Sequence, residues 1–340
     1  MRVGSGSFRP KPTCGRVNIE RAKVWAATRL SSRDVRRCRN SNDSVLIRSV
    51  QDLIAKAETL LEALPYIQRF RSQTFVVKYG GSFMDSPDPQ VRDGVARDIV
   101  FLEAVGINPV VVHGGGKAIT RAMDAAGLEA DFIQGMRVTD EAAASVVEQV
   151  LSREINPEIV RTINALGGKA RGFSGTEIFT CRKLYLPGPS GGGLDLGFVG
   201  EVSAVNIEPL RECIRRSVTP VVSPTARGDD GRIYNCNADV AAAQAAIALK
   251  AKRLVFMSDV PGLLRDPENT ATLIPHLQSS EVDALKQAGI VEKGMIPKVD
   301  SAVAAIQAGV EKVSLVDGRL QHSVLLEIFT DAGVGTEVVA

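Results

Sequence analysis

Two valine-rich runs that each break into glycine constrain this chain more than any other feature. Thr74–Tyr79 (TFVVKY) ends in Gly80-Gly81, and Asn108–His113 (NPVVVH) ends in Gly114-Gly115-Gly116. Short, nearly continuous apolar runs of this kind predict strands buried on both faces, the signature of a parallel sheet. Helical periodicity fills the intervals. Ser86-Pro87 offers an N-cap followed by proline at the first helical position, and predicts a helix to about Val105. Further helices are predicted from about Lys117 to Ala126 and from about Glu141 to Leu166, with a hairpin near 131–139 between them. The stretch 178–206 reads as antiparallel β, with Gly188–Gly193 (GPSGGG) as a loose loop between its arms. Val218–Val222, Leu254–Met257 and Lys312–Val316 are three more short strands, each followed by helical patterning. This alternation predicts a three-layer αβα sandwich with a mostly parallel open central sheet. A soft boundary near residue 210 divides it into an N-lobe (71–210) and a C-lobe (211–340).

Upstream of the first strand the chain changes character twice. Leu53, Ala57, Leu60, Leu61 and Leu64 form one stripe of an amphipathic helix over 45–70, where Pro65 predicts a kink or a stop. Such a helix either caps the domain or pairs with another subunit. Residues 1–44 are rich in Arg, Ser, Gly and Asn and are expected to be a disordered arm, non-native upstream sequence or a targeting segment. Of the formal net charge of +2, residues 1–40 contribute +9, from eleven basic residues against Glu20 and Asp34, which leaves the remainder at −7. The basic balance therefore belongs to the tail and argues nothing about nucleic acid for the body. No run of eighteen apolar residues exists, which excludes a transmembrane helix of ordinary length. Five cysteines in no CxxC spacing predict a reduced compartment and no zinc site, and no metal-ligand set is expected.

The chemistry collects at the glycine runs. In open α/β sheets ligands bind at the carboxyl ends of the strands, and glycine lets a backbone approach a ligand closely with its N–H groups facing phosphate. Either run alone could be a tight strand-to-helix turn; two on consecutive strands, each flanked by lysine, point to an anion. The chain has neither GxxxxGK[ST] nor GxGxxG, so it is neither a P-loop protein nor a supported dinucleotide binder. Three further motifs carry charge: YNCNAD (Tyr234–Asp239), where Asn237 or Asp239 could cap the Ala-rich helix Ala241–Lys250; SDVPG (Ser258–Gly262); and GMIPK (Gly294–Lys298). Lys298 stands at a helix start, where the dipole disfavours a cation, so it serves a bound anion better than it serves its helix. With only His113, His276 and His322 available, few histidine mechanisms remain, and His113 reads as a packed, hydrogen-bonded imidazole.

In this order, KYGG, VVVHGGGK, GMRVTD (Gly135–Asp140), YNCNAD, SDVPG, GMIPKV (Gly294–Val299) and LLEIFTDAGVGT (Leu325–Thr336) resemble the amino-acid kinase family over about 270 residues from Phe70 onward. GMRVTD together with NxNAD is similar to the branch that acts on N-acetylglutamate. The resemblance implies transfer of the γ-phosphoryl group of MgATP to the γ-carboxylate of N-acetyl-L-glutamate, in arginine biosynthesis. It also implies that Lys78 and Lys298 contact the phosphoryl group and that Asp239 holds both lysines. Gly81, Gly114 and Gly115 are implied as backbone N–H donors, and Arg137 as a fork on a substrate carboxylate rather than a surface ion pair. Asn235 is implied at the other end of the substrate, with Gly80, Asp259 and Gly294 on the nucleotide side. Mg2+ is expected to be held mainly by the nucleotide.

The family pairs an N-terminal helix with hexamers and inhibition by L-arginine. Tyr66, Glu327 and Gly333 match effector positions, with one departure: Ser314 stands where the family usually has histidine. The resemblance implies a homohexamer in the cytoplasm, or in a plastid or mitochondrion if residues 1–44 are a transit peptide. Nucleic acid and membrane are not expected partners. The competing expectations are a kinase for N-acetyl-2-aminoadipate, one methylene longer, and a non-catalytic amino-acid sensor; the triad Lys78, Lys298 and Asp239 argues against the sensor.

Overall fold

The computed structural model describes residues 32–86, 88–187, 193–291 and 294–340. Residues 1–31, Pro87 and most of the GPSGGG loop lie outside the described residues, as do the expectations placed on them. By contact, the chain divides into Met1–Glu62 and Ala63–Ala340.

The first helix, α1, spans Ser32–Phe70 and so begins inside the segment expected to be a tail. It also runs through Pro65 instead of stopping there. Proline forfeits one backbone hydrogen bond, but its fixed φ is helical. Beyond it, Phe70 is fully buried edge-on against Phe75, 5.2 Å between ring centroids, which anchors the last turn.

From Thr74 the expected alternation is present. Strand β1 (Thr74–Tyr79) is followed by α2 (Pro89–Arg92), α3 (Gly94–Ala104), β2 (Asn108–His113) and α4 (Gly116–Ala125). The expected single helix from Ser86 is two pieces. Asp88, not Ser86, is the N-cap, accepting from Gln90 N–H with Pro89 in the first turn. The hairpin β3 (Phe132–Ile133) and β4 (Met136–Arg137) leads into α5 (Glu141–Glu148), a π-helical segment at Gln149–Ile155, and α6 (Asn156–Ala165). The long helix expected here is thus widened at its centre, just before Pro157, which has no N–H to give the preceding turn. Then come β5 (Ala170–Phe173), α7 (Gly175–Ile178), β6 (Phe179–Pro187), β7 (Gly193–Val205), α8 (Glu208–Arg215), β8 (Thr219–Val222), β9 (Thr225–Gly228) and β10 (Ile233–Cys236). The last third comprises α9 (Ala238–Leu249), β11 (Arg253–Ser258), β12 (His276–Gln278), α10 (Val282–Gln287), α11 (Met295–Gln307), β13 (Lys312–Asp317), α12 (Ser323–Ile328) and β14 (Thr336–Val339).

The main sheet has the order β12-β14-β13-β11-β1-β2-β8-β5, parallel except where β13 meets β14; β6, β7, β9 and β10 close a small barrel. Strand β1 is central, flanked by β2 on one side and β11 on the other, so the chain winds outward in opposite directions from it. Its side chains alternate between layers. Phe75 and Val77 join Ile99, Leu102 and Ile163 on one face, while Val76 joins the alanines of α9 and α11 on the other. That period of two sends Lys78 to the same face as Val76, toward α9 and α11. Among the described residues, no helix is long and apolar enough to cross a membrane.

Candidate active site

Lys78 is the next-to-last residue of β1, paired in register with Val112 and Phe256. Helix α9 begins directly across from it because Asn237 caps that helix, accepting from the N–H groups of Asp239 (2.8 Å) and Val240 (3.2 Å). Asn237 is therefore the cap, and the Asp239 side chain is left for another task. Its Oδ2 accepts from Lys298 Nζ at 2.8 Å, and its Oδ1 faces Lys78 Nζ at 3.2 Å. One carboxylate thus bridges two lysines that lie 220 positions apart in the chain.

The electrostatics of the three groups are interlocked. Burial drives the Asp239 carboxyl upward, but Lys78 and Lys298 outweigh it and hold the group below the usual carboxylate range. Burial pulls Lys298 below an ordinary lysine, against the opposing pull of Asp239. Lys298 is only 6 % exposed, sits in the first turn of α11 and lies 5.3 Å from the Phe256 ring centre. A cation so placed is unfavourable for its helix and favourable for an anion in front of it.

A cavity of about 360 Å³ opens onto Lys78 and Asp239, lined also by Gly80, Gly81, Gly114, Gly115, Phe132, Arg137 and Asn235. Arg137 is buried, and the hydrogen bonds of its guanidinium all go to neutral groups: Gly116 C=O (3.1 Å), Thr120 Oγ1 (2.7 Å) and Met123 Sδ (3.4 Å). It stacks 4.5 Å from the Phe132 ring centre, and burial lowers its pKa. It is not a surface ion pair. Thr120 and Gly116, which orient it, carry no signal in the sequence beyond their place on α4. Asn235 donates to Thr139 Oγ1 at 3.4 Å. One expected donor is committed elsewhere: Gly114 N–H bonds Tyr79 C=O at 2.8 Å, tying the two glycine turns together, so it is not available to a ligand in this arrangement. Gly115 leaves little room for a side chain. A Cβ there would lie 2.7 Å from Leu151 Cδ2 and closer still to Ile155 Cδ1, both on the π-helical segment.

Asp259 lines a neighbouring cavity of about 390 Å³ on the far side of Gly81 and Gly115, and accepts from both Ser82 N–H and Ser82 Oγ at 2.7 Å. Gly294 is the N-cap of α11, four residues before Lys298. Among the described residues no cluster of three His, Cys, Asp or Glu side chains could ligate a metal, and Asp239 is already engaged by two ammonium groups. The lysines and the glycine turns present cations and backbone N–H groups of a kind that fits phosphate oxygens.

The expected effector residues sit together away from this cavity. The buried Glu327 carboxylate accepts from Val334 N–H at 2.9 Å, and Gly333, at φ 62°, approaches so closely that a Cβ would lie 2.6 Å from Glu327 Oε2. Tyr66 donates to Asp331 and meets Phe329 edge-on at 6.5 Å. Ser314 is buried in β13.

His113 is fully buried, and burial lowers its pKa to about 4. It is the packed imidazole expected. His276 and His322, which have no sequence pattern, each pair with a carboxylate, Glu337 and Asp98 respectively at 2.6 Å.

The sequence pattern of the amino acid kinase family matches residues 73–317, a span holding both glycine turns and the whole triad. The chain belongs to the amino acid kinase family. It is 46% identical over 288 residues to the acetylglutamate kinase of Akkermansia muciniphila, covering 84% of this chain and 96% of that one. It is likewise 46% identical to the acetylglutamate kinase of Carboxydothermus hydrogenoformans, covering 84% and 99%. Among solved structures, N-acetylglutamate synthase from Neisseria gonorrhoeae, in complex with coenzyme A and N-acetyl-glutamate, superposes with a TM-score of 0.72 at 25% identity. That match covers 84% of this chain but 63% of the synthase, a longer protein. The amino acid kinase fold accounts for the open sheet and for a site at the carboxyl end of β1 and β2.

Proposed function

We infer that this member of the amino acid kinase family is an acetylglutamate kinase, transferring the γ-phosphoryl group of MgATP to the γ-carboxylate of N-acetyl-L-glutamate. The observation that carries this reading is the Asp239 bridge between Lys78 and Lys298 beside two glycine turns. In the step, a substrate carboxylate oxygen forms a bond to the γ-phosphorus, the bond from that phosphorus to the bridging oxygen breaks, and ADP leaves. A carboxylate of pKa near ~4 is already ionised at neutral pH and needs no general base, which suits a site whose nearest histidine is buried and neutral. Catalysis then consists of aligning two anions and neutralising the oxygens of the transferring group. Lys78 and Lys298 do the neutralising, and Asp239 fixes their spacing. Gly81 and Gly115 offer N–H groups, Arg137 forks onto a substrate carboxylate, and Asn235 takes the other end. Gly80, Asp259 and Gly294 serve the nucleotide side, and Mg2+ rides on its phosphates.

ADP release with MgATP and a panel of N-acetylglutamate, N-acetyl-2-aminoadipate, aspartate and glutamate tests this directly. N-acetylglutamate should give the highest kcat/KM; a higher value for the longer acid would move the assignment to the aminoadipate kinase. A methylene is worth only ~1–3 kcal/mol of discrimination, so the comparison has to be quantitative.

The regulatory part of the reading rests on Glu327, Gly333 and Tyr66. A buried carboxylate facing a left-handed glycine suits a guanidinium, and L-arginine is the proposed inhibitor. Turnover should fall across an arginine titration; a flat response to millimolar arginine would sink the idea. The apolar stripe of α1, with Leu53, Leu60 and Leu61 all more than 60 % exposed, supports assembly into a homo-oligomer, proposed as a hexamer in the cytoplasm.

A further inference from the structure

The turn at the end of β2 rests on a buried polar chain that the phosphoryl-transfer reading does not use. His113 Nδ1 lies 3.0 Å from Gly114 C=O, and His113 Nε2 lies 3.2 Å from Asn156 Nδ2. Asn156 is the first residue after the π-helical segment and is 3 % exposed. Its Nδ2 also faces two backbone carbonyls, Val221 at 2.9 Å and Phe173 at 3.3 Å. An oxygen in that position would confront two other oxygens, so the amide orientation is fixed: nitrogen toward the imidazole. A protonated Nε2 would confront that NH2 group, which places the ring proton on Nδ1, donating to Gly114 C=O.

We propose that Asn156 and His113 are positioning residues: Asn156 sets the His113 tautomer, and His113 clamps the Gly114–Gly115 peptide so that the Gly115 N–H is aimed at the phosphoryl group. The geometry follows from the trans peptide, in which C=O and N–H point in opposite directions. Holding Gly114 C=O against the buried ring turns Gly115 N–H away from it, on the residue that lines the active-site cavity. The same turn is pinned from the other side by Gly114 N–H on Tyr79 C=O. Gly115 rests on Leu151 and Ile155, so the π-helical segment carries the steric floor of the turn, and Asn156, which follows it directly as the first residue of α6, polarises its clamp. Because burial keeps His113 neutral at ordinary pH, the clamp keeps one proton arrangement throughout.

This inference rests on the kinase reading, and the test separates the two. In the full-length, 15N-histidine-labelled protein, NMR should show His113 with a protonated Nδ1 and a pyridine-type Nε2, unchanged from about pH 6 to 8. A protonated Nε2 would overturn the clamp whatever the enzyme phosphorylates. In His113→Asn the amide nitrogen overlays Nδ1 and can still reach Gly114 C=O, whereas in His113→Gln it overlays Nε2 and cannot. Turnover with N-acetylglutamate should fall about 10²-fold in His113→Gln and by less than about 10-fold in His113→Asn, each at nearly unchanged KM. Equal losses in the two variants, at matched melting temperature, would show a purely structural histidine. Wild-type protein inactive on every acid of the panel would remove the kinase reading and leave the tautomer assignment standing.

Discussion

Lys298 breaks two habits of lysine at once: it is buried, and it sits at the positive end of a helix. Neither choice stabilises the protein, and both strengthen its pull on an anion in front of it. Lys298→Ala should therefore keep the fold and lose about 10²–10³ in turnover, the usual range for one preorganised donor. Steady-state kinetics alongside a thermal melt checks both halves; near-normal turnover would remove the role assigned to it. This residue was legible in sequence because it violated a local rule, and its partner Asp239 because it belonged to a recognisable motif. Arg137 stood out in the sequence as a candidate cation, but the neutral shell that orients it was not legible. Thr120, Met123 and Gly116 become its neighbours only when α4 folds against β4, and periodicity does not encode such a contact.

At the scale of elements, the sequence marked strands and helices wherever a single periodicity ran long enough. It missed the four-residue edge strand Ala170–Phe173, whose middle residues are exposed and polar or glycine, and it misread the centre of the long helix. The widened turn at Gln149–Ile155 brings Ile155 and Leu151 up against Gly115. Gly115→Ala should cost about 1–3 kcal/mol by overpacking, and Ile155→Val, which removes the closest carbon, should restore part of that in a double mutant. Urea denaturation of the four proteins gives the coupling; strict additivity would mean that the turn yields in some other direction. Helix α12 is held by a different device. Asp98 on α3 accepts from the N–H groups of Val324 and Leu325 and pairs with His322, yet burial still pushes its carboxyl up to about 6. An acid whose pKa is raised on folding binds its proton more tightly in the native state. It therefore contributes stability below about pH 4 that is lost as pH rises through about 6, on the order of 3 kcal/mol in all. Relative to Asp98→Asn, the wild type should lose unfolding free energy between pH 4 and 6.5. Parallel stability curves for the two proteins would contradict that.

For the whole molecule, the deciding fact is that β1 lies at the centre of the sheet and pairs with β2 at once but with β11 only after a long excursion. Lys78, Asp239 and Lys298 come together only when that second pairing is made. In refolding from denaturant, helical signal should return in an earlier phase than turnover, because long-range parallel pairing is slow. A single shared time constant for both would argue that the halves fold as one. The same topology has a consequence during synthesis. About 180 residues separate Val76 from its partner Leu254, so at 5–20 residues per second the nascent chain holds one side of its central strand open for roughly 10–35 s. An unpaired strand edge of this kind is a template for association with other chains. The strand that carries Lys78 is thus also one through which the half-made protein is open to aggregation, and to the chaperones that prevent it.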